Sequence, residues 1–283
     1  MGGAYIREQK HICGDSYDTA GYMEVDIYPV TDQQHRGSRA ARKKEATSLA
    51  QQTYNESRAK RYHVQLVNTN FKDGDFSWTG TYDDDHLPDP EDTERVDKDF
   101  RNYVSRIYRW CKKNGVQRPK WVMAAEYATR QEDGSVLGRH HIHAIFERTE
   151  GLTRDVMEEL WTDRRGRPIG MVRCDRLQME HGSAEGLVKY ISKNRRCARH
   201  WRQSRDLKKP VTPRPSDSKW SRKRFIEAST LYVDDREFWE KKYPGYTLNR
   251  VETKVNDSGH RHTLVIMRRA DGKKKAGRER KLE

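Results

Sequence analysis

The sequence has no apolar run of about 18 residues or more, the length that a membrane-spanning helix requires. Its opening stretch, MGGAYIREQK, also lacks the apolar centre of a secretory signal peptide. Both absences argue against an integral membrane protein and against an exported one. We therefore expect the chain to act in the cytoplasm.

Cysteine is scarce, with four residues in a chain of 283. No two of them form a CxxC pair, which argues against a disulfide framework and is typical of a reducing compartment. A zinc site would require Cys174, His181, Cys197 and His200 to converge, but their spacing matches no common zinc module. The four cysteines are Cys13, Cys111, Cys174 and Cys197.

Apolar residues are also few, at 33% of the chain against 35% charged residues. A core of that size leaves part of the chain as solvated arm or tail. Lys and Arg outnumber Asp and Glu by 57 to 43, which gives a net charge of +14. Such a field attracts polyanions, either nucleic acid or acidic lipid, and charge alone does not choose between them.

The composition changes along the chain and predicts three regions. Residues 1–60 form a basic segment, in which the stretch 35–63 is typical of a solvated helix or of an arm lying on phosphates. Residues 61–205 are predicted to form the main domain. Residues 206–283 begin with the linker-like LKKPVTPRPS and continue as a small α+β module, with a helix near REFWEKKYPGY, a hairpin and a basic tail.

Strand and helix patterns alternate within the main domain. YHVQLVNTNF and DFSWTGTYDD are strand-like, whereas apolar residues at steps of three and four from Val96 to Cys111 predict a helix that stops at Gly115. WVMAAEY and RHHIHAIFE are then predicted to pair as a hairpin with a polar tip. Two further helices and a strand complete an α+β fold, with a central antiparallel sheet and flanking helices.

The second hairpin strand carries three closely spaced histidines. Alternate side chains of a strand share a face, so His141 and His143 point the same way, about 7 Å apart, and His140 points to the opposite layer. Glu126 on the partner strand lies alongside and completes a set of two histidines and one carboxylate, which suits Mg²⁺ or Mn²⁺. The alternative is that these histidines are only hydrogen-bonded residues of a half-buried face.

A second group of interest is the stretch GLVKYISKN, a predicted helix. Tyr190 and Lys193 are three residues apart in it and share one face. Taken alone, this pair is weak evidence and is better explained by amphipathic packing, with Leu187, Tyr190 and Ile191 as core contacts.

These motifs together resemble the HUH endonucleases, in particular the rolling-circle replication initiators of phages, plasmids and related elements. FSWTGTYDDDHLP at 76–88, HIH at 141–143 and KYISK at 189–193 stand in that family's order. The resemblance implies an antiparallel sheet whose central strands carry the metal ligands, with a tyrosine on a helix packed over them. It covers about two fifths of the chain.

The resemblance also implies the chemistry. His141, His143 and Glu126 would hold Mg²⁺ or Mn²⁺, and Tyr190 would attack a phosphodiester of single-stranded DNA to leave a 3′-hydroxyl and a 5′-phosphotyrosine. Lys193 would lie near the scissile phosphate or near a water bound to the metal. A phenol has a pKa of roughly 10, so it requires a metal or a cation nearby to act as a nucleophile at neutral pH.

The sequence departs from the family's pattern at two places. No second tyrosine follows Tyr190 within a helical turn or two, which indicates an enzyme with a single tyrosine. Gly80 stands where the family's first motif usually has leucine, and a glycine inside a strand marks either a bulge or a close approach of DNA.

Further basic and aromatic residues are candidates for DNA contacts, either by holding phosphates or by stacking on unpaired bases. The candidates are Arg139, Lys189, Arg195, Arg196, Trp78 and Tyr82. The expected partners are single-stranded DNA or an origin hairpin, in a bacterial host. Because no GxxxxGK[ST] motif is present, a host helicase is also expected.

Two other functions are compatible with the sequence. The same nicking and joining chemistry serves transposition and conjugative transfer. A non-catalytic protein that binds single-stranded nucleic acid would also use a basic, aromatic sheet, and its binding would be indifferent to metal and to Tyr190.

Overall fold

The computed structural model describes residues 5–14, 21–30, 49–179, 201–255, 259 and 261–270. The helices are α1 (Leu49–Asn70), α2 (Thr93–Asn114), α3 (Arg154–Glu159), α4 (Arg222–Thr230) and α5 (Arg236–Lys242).

The strands form two larger sheets and one short ribbon. They are β1 (Tyr5–Cys13), β2 (Tyr22–Val30), β3 (Phe76–Thr81), β4 (Trp121–Glu126), β5 (Thr129–Arg130), β6 (Val136–Leu137), β7 (His141–Phe146), β8 (Val172–Arg176), β9 (Arg202–Gln203), β10 (Tyr246–Val255) and β11 (Arg261–Arg269).

The chain divides into two compact units. The central unit contains α1 from Ala59 onward, α2, α3 and β3 to β9, and the terminal unit contains β1, β2, β10, β11, α4 and α5. Both larger sheets are antiparallel and are accompanied by helices, which confirms the predicted α+β class. No helix among the described residues is long and apolar enough to cross a membrane.

The sheet of the central unit has the strand order β8-β3-β7-β4-β9. Its hairpin is the predicted one, since β4 pairs with β7 and the β5–β6 ribbon extends it. Cross-strand partners place Ile142, Ala144 and Phe146 on one face of the sheet. The opposite face carries His141 and His143, and we call it the histidine face.

Helix α2 covers the face opposite the histidines, as its pattern predicts. Its apolar residues at steps of three and four are buried, from Val96 through Phe100 to Cys111. Asp92 caps its start by accepting a hydrogen bond from the Arg95 backbone N–H, and Gly115 ends it in the left-handed conformation. The helix and the sheet together enclose the core of the central unit.

The prediction of a strand over 61–70 is wrong, because these residues form the last turns of α1. The last turn of α1 contains Asn and Thr, which usually favour turns and strands, and their side chains hydrogen-bond to backbone carbonyls of the same helix. The side chains of Asn68, Thr69 and Asn70 each donate to the carbonyl four residues earlier, at 3.0, 2.7 and 2.9 Å. The alternating pattern in YHVQLVNTNF therefore arises from a helix that is buried on more than one side.

Helix α1 also carries a buried neutral histidine. His63 stacks on Trp201, with ring centroids 4.6 Å apart and an interplanar angle of 7°. Burial lowers the pKa of His63 to about 3, so the imidazole is uncharged at neutral pH. Trp201 directly precedes β9, which lies at the β4 edge of the sheet.

The terminal unit is an antiparallel sheet with the order β1-β2-β11-β10 and with α4 and α5 in its core. The C-terminal helix and hairpin agree with the prediction, but β1 and β2 lie in residues 1–60, for which the sequence predicts only a basic segment. The apolar alternation of β1 is interrupted by Glu8, which is buried on the core side of the strand. Its carboxylate accepts hydrogen bonds from Trp220 Nε1 at 2.9 Å and from Tyr243 OH at 2.8 Å. Burial alone would raise the pKa of Glu8, but these bonds and Lys219 lower it.

Candidate metal centre

The register of three neighbouring strands builds the site. Glu126 on β4 lies directly opposite His141 on β7, and Thr79 on β3 lies directly opposite His143. Because directly opposed residues point to the same side of a sheet, all four side chains lie on the histidine face. The hairpin between β4 and β7 thus brings together residues that are 15 positions apart in the chain.

The three predicted ligands converge on one point. His141 Nε2 lies 2.6 Å and His143 Nε2 lies 3.6 Å from the same oxygen, Glu126 Oε2. Each residue offers one ligand atom, and these atoms lie within 4.8 Å of one another. Among the described residues this is the one group of three or more His, Cys, Asp or Glu side chains that meets this condition.

The other ring nitrogens are oriented by neighbouring groups. His141 Nδ1 lies 2.9 Å from the carbonyl oxygen of Arg139, which only accepts hydrogen bonds, so Nδ1 carries the proton. His143 Nδ1 lies 3.1 Å from the hydroxyl of Thr79. Such contacts fix the orientation of each imidazole ring and bring both Nε2 atoms to the side of Glu126, as is usual for metal-bound histidines.

The electrostatics of the site favour a bound cation. Burial lowers the pKa of His143, and the neighbouring His141 lowers it further, so its imidazole is neutral at pH 7. Glu126 supplies the carboxylate of the set, with its Oε2 2.6 Å from His141 Nε2 and 3.6 Å from His143 Nε2. The donor set of two imidazoles and one carboxylate fits a divalent ion and leaves open positions for other ligands.

His140 faces the opposite layer, as predicted, and is not a ligand. It is fully buried; its Nδ1 accepts from the Ala128 backbone N–H at 3.2 Å, and its Nε2 lies 3.0 Å from the Asp89 carbonyl oxygen. His140 therefore ties the β5–β6 extension to the loop after β3. No local pattern indicates this role, because it depends on contacts with residues that are distant in the chain.

Two of the predicted DNA contacts are contradicted by burial. Trp78 is fully buried on the α2 side of the sheet, where it stacks on Tyr103 at 4.7 Å between ring centroids. Tyr82 is 3% exposed, and its ring packs against Trp161. Neither ring offers a free face to a base, so both residues are core residues.

Gly80 has a packing role and not a DNA role. It lies on the α2 side of β3, and a Cβ built on it would overlap the indole ring of Trp78. The pairing of β3 with β7 is continuous from Phe76 to Thr81, so there is no bulge at Gly80. The indole ring of Trp78 fills the space that the leucine side chain usual at this position would occupy, so only glycine fits here.

Arg139 lies at the site but is already paired. Its Nη2 donates to the carbonyl oxygen of Tyr82 at 3.0 Å and to Asp84 Oδ1 at 2.7 Å. It holds the loop after β3 against the start of β7. Its contact with a phosphate stays a prediction.

The other predicted site residues lie outside the described part of the chain. They are Tyr190, Lys193, Lys189, Arg195 and Arg196. Three residues of the alternative zinc set, His181, Cys197 and His200, also lie outside it. The fourth, Cys174, is buried in the core of the central unit, where burial raises the pKa of its thiol to about 12.

One family model matches part of the chain. Residues 75–195 match the family model for replication-associated protein ORF2/G2P. This segment is therefore similar to the replication-associated proteins that the model describes. The match confirms the resemblance to Rep-type rolling-circle replication initiators, and it covers about two fifths of the chain. Neither the curated proteins nor the solved structures gave a match.

The matched range includes the whole candidate metal centre. The match begins just before β3 and contains the three candidate ligands together with Tyr190. The domain therefore combines in one segment the site that the structure describes and the tyrosine motif that the sequence identifies.

The hydroxyl of Thr79 is expected to support metal binding through His143. Thr79→Val keeps the shape of the side chain but removes the bond to His143 Nδ1, and loss of such a supporting bond typically lowers metal affinity by about 10 to 100-fold. Isothermal titration with Mn²⁺ measures this loss. Thr79→Ser retains the hydroxyl and should restore most of the affinity; equal affinity in both variants would show that the bond is unimportant.

Proposed function

We propose that the replication-associated domain nicks and rejoins single-stranded DNA at a divalent metal centre, with Tyr190 as the nucleophile. The observation that carries the proposal is the convergence of His141 Nε2 and His143 Nε2 on one oxygen of Glu126. A sheet that only bound nucleic acid would not require this arrangement. The family match supports use of the reaction in replication initiation.

The ligands have a defined division of labour in this proposal. His141, His143 and Glu126 would hold Mg²⁺ or Mn²⁺, and the ion would polarise the non-bridging oxygens of the scissile phosphate. Thr79 and the Arg139 carbonyl keep the imidazoles in the correct orientation.

The tyrosine step follows from the sequence motif. The Tyr190 oxygen attacks phosphorus, its proton passes to solvent, and the bond from phosphorus to the 3′ oxygen breaks. The 3′ oxygen takes up a proton to become a hydroxyl, and the 5′ phosphate stays esterified to Tyr190. Lys193 offsets the negative charge that develops on the phosphate and the phenolate. The ester retains the energy of the broken bond, so a 3′-hydroxyl can later displace Tyr190 and rejoin the strand.

The described chain is compatible with this assignment. The chain leaves the sheet after β8 at one edge and returns as β9 at the other edge. Tyr190 falls between these two strands in the sequence. We further propose that an origin hairpin presents the single strand and that a host helicase separates the duplex.

The tyrosine is tested by trapping the covalent product. Purified protein is mixed with labelled single-stranded DNA and Mn²⁺, and the sample is run on a denaturing gel. We expect a shifted band with the native protein, no band after chelation, and no band with Tyr190→Phe, because the phenol oxygen forms the bond. Tyr62→Phe changes an exposed tyrosine of α1 and is the matched control. An adduct that persists in Tyr190→Phe would exclude Tyr190 as the nucleophile.

A further inference from the structure

The histidine face extends beyond the metal ligands to the edge strand β8. Arg173 is directly opposite Thr79, which is in turn opposite His143. Two residues further along β3, Thr81 is opposite His141. The Thr81 backbone N–H donates to the Met171 carbonyl oxygen at 2.9 Å. Two rows of side chains therefore run from the metal centre to the β8 edge, and Arg173 and Met171 stand at their outer ends.

Both outer residues are strongly exposed. The side chain of Arg173 is 83% exposed. Met171 is 78% exposed, the largest value among the exposed large apolar side chains of the described residues. The side chains of Met171 and Arg173 therefore do not contribute to the core. Together they place an apolar surface beside a positive charge.

The edge is held firmly beside the site. The Thr81 hydroxyl donates to the Met171 carbonyl at 3.0 Å, and Trp161 Nε1 donates to the Thr81 carbonyl at 2.9 Å. Gly170 has a φ of 153° and passes so close to Thr81 that a Cβ would overlap its carbonyl oxygen. The backbone that carries Met171 is therefore fixed to the strand next to the ligand strand.

The guanidinium of Arg173 is held in place by one hydrogen bond, which uses only its Nε. Its Nε donates to Asp175 Oδ2 at 2.6 Å, and Asp175 lies on the same face, opposite Ser77. A guanidinium has five N–H donors in a planar fork, so the two terminal nitrogens can still donate to a phosphate. No hydrogen bond joins those two nitrogens to another residue in the described part of the chain.

We propose that Met171 and Arg173 form a subsite for the single-stranded DNA that flanks the scissile phosphate, an inference that rests on the proposed function. Two strand spacings separate β8 from β7, about 10 Å, so a strand bound at the metal centre passes over this edge with its neighbouring nucleotides. Arg173 binds a backbone phosphate, and Met171 contacts the face of an unpaired base. The net charge of +14 supports a polyanionic occupant.

The subsite is tested by measuring the affinity for fluorescent single-stranded DNA across a salt series with Mn²⁺ present. Arg173→Gln is expected to weaken binding about tenfold and to reduce the slope of log K against log salt by about 0.7, the value for one phosphate contact. Met171→Ala is expected to weaken binding about threefold with an unchanged slope. Arg176→Gln is the matched control, because Arg176 is exposed on the same strand but opposite Phe76, on the other face; it should bind as the native protein does.

The outcomes separate this inference from the proposed function. If the native protein forms the covalent adduct but Arg173→Gln binds DNA as Arg176→Gln does, the subsite is wrong and the nuclease stands. If no adduct forms but Arg173→Gln alone loses affinity, the DNA surface stands and the nuclease fails. An equal loss of affinity for duplex DNA would overturn the assignment to single strands.

Discussion

Replacing Glu126 by glutamine is expected to lower Mn²⁺ affinity by more than about 100-fold and adduct formation by a similar factor or more. Glutamine has nearly the same shape, but it removes the negative charge from the atom on which both Nε2 atoms converge. The side chain of Glu126 is 24% exposed, so the fold should tolerate the change. Isothermal titration with Mn²⁺ and the rate of adduct formation give the two values.

The matched control for Glu126→Gln is Glu147→Gln. Glu147 has a similarly exposed side chain, pairs with Lys120 at 3.3 Å and follows the opposite end of β7. This variant should bind Mn²⁺ and form the adduct at native levels. Undiminished Mn²⁺ affinity in Glu126→Gln would show that the carboxylate is not a ligand.

Replacing Trp78 by alanine is expected to cost about 3 to 5 kcal/mol of stability, the usual result for a buried tryptophan. Trp78 contacts the rings of Phe100, Tyr103, Phe146 and Trp161, and its loss leaves a cavity between the sheet and α2. Urea unfolding, followed by circular dichroism, measures the change. The same variant distinguishes the core role from the DNA role predicted from the sequence.

The two roles of Trp78 give opposite results. A core tryptophan lowers the unfolding midpoint and leaves the affinity of the folded protein for single-stranded DNA unchanged. A base-stacking tryptophan would lower the affinity and leave the midpoint unchanged. Tyr62→Ala, on an exposed part of α1, should change stability by less than about 0.5 kcal/mol and serves as the comparison.

The sequence predicted those parts of the fold that depend on local patterns. Helix α2 has regular apolar spacing, an acidic start and a glycine stop, and the β4–β7 hairpin has two apolar runs around a polar tip. The three candidate ligands could be placed from this hairpin, because alternation in β7 and pairing with β4 suffice to bring His141, His143 and Glu126 together.

The errors arise where tertiary contacts outweigh local pattern. The strand-like alternation of residues 61–70 belongs to a buried helix. The sequence did not predict strand β1, because Glu8 places a charged residue at a core position. Hydrogen bonds from Trp220 and Tyr243 stabilise the buried carboxylate there. Trp78 was assigned to DNA because alternation shows which residues share a face but not which face is covered by a helix.

The supporting residues of the site had no sequence signal at all. Thr79 and His140 act through bonds to residues more than ten positions away, and an isolated sequence contains no information on such contacts. Arg173 and Met171 similarly acquire significance only through the register of β8 with β3. These four positions are where the structure adds most to the account of the site.

The central claim is that His141, His143 and Glu126 bind one divalent ion, and it is tested most directly by pulsed electron paramagnetic resonance of bound Mn²⁺. The account predicts coupling of the manganese to imidazole nitrogens from two histidines in the native protein. It predicts coupling to one imidazole in His143→Ala, in which His141 is retained. Tight Mn²⁺ binding without imidazole coupling, or coupling that is unchanged in His143→Ala, would contradict it.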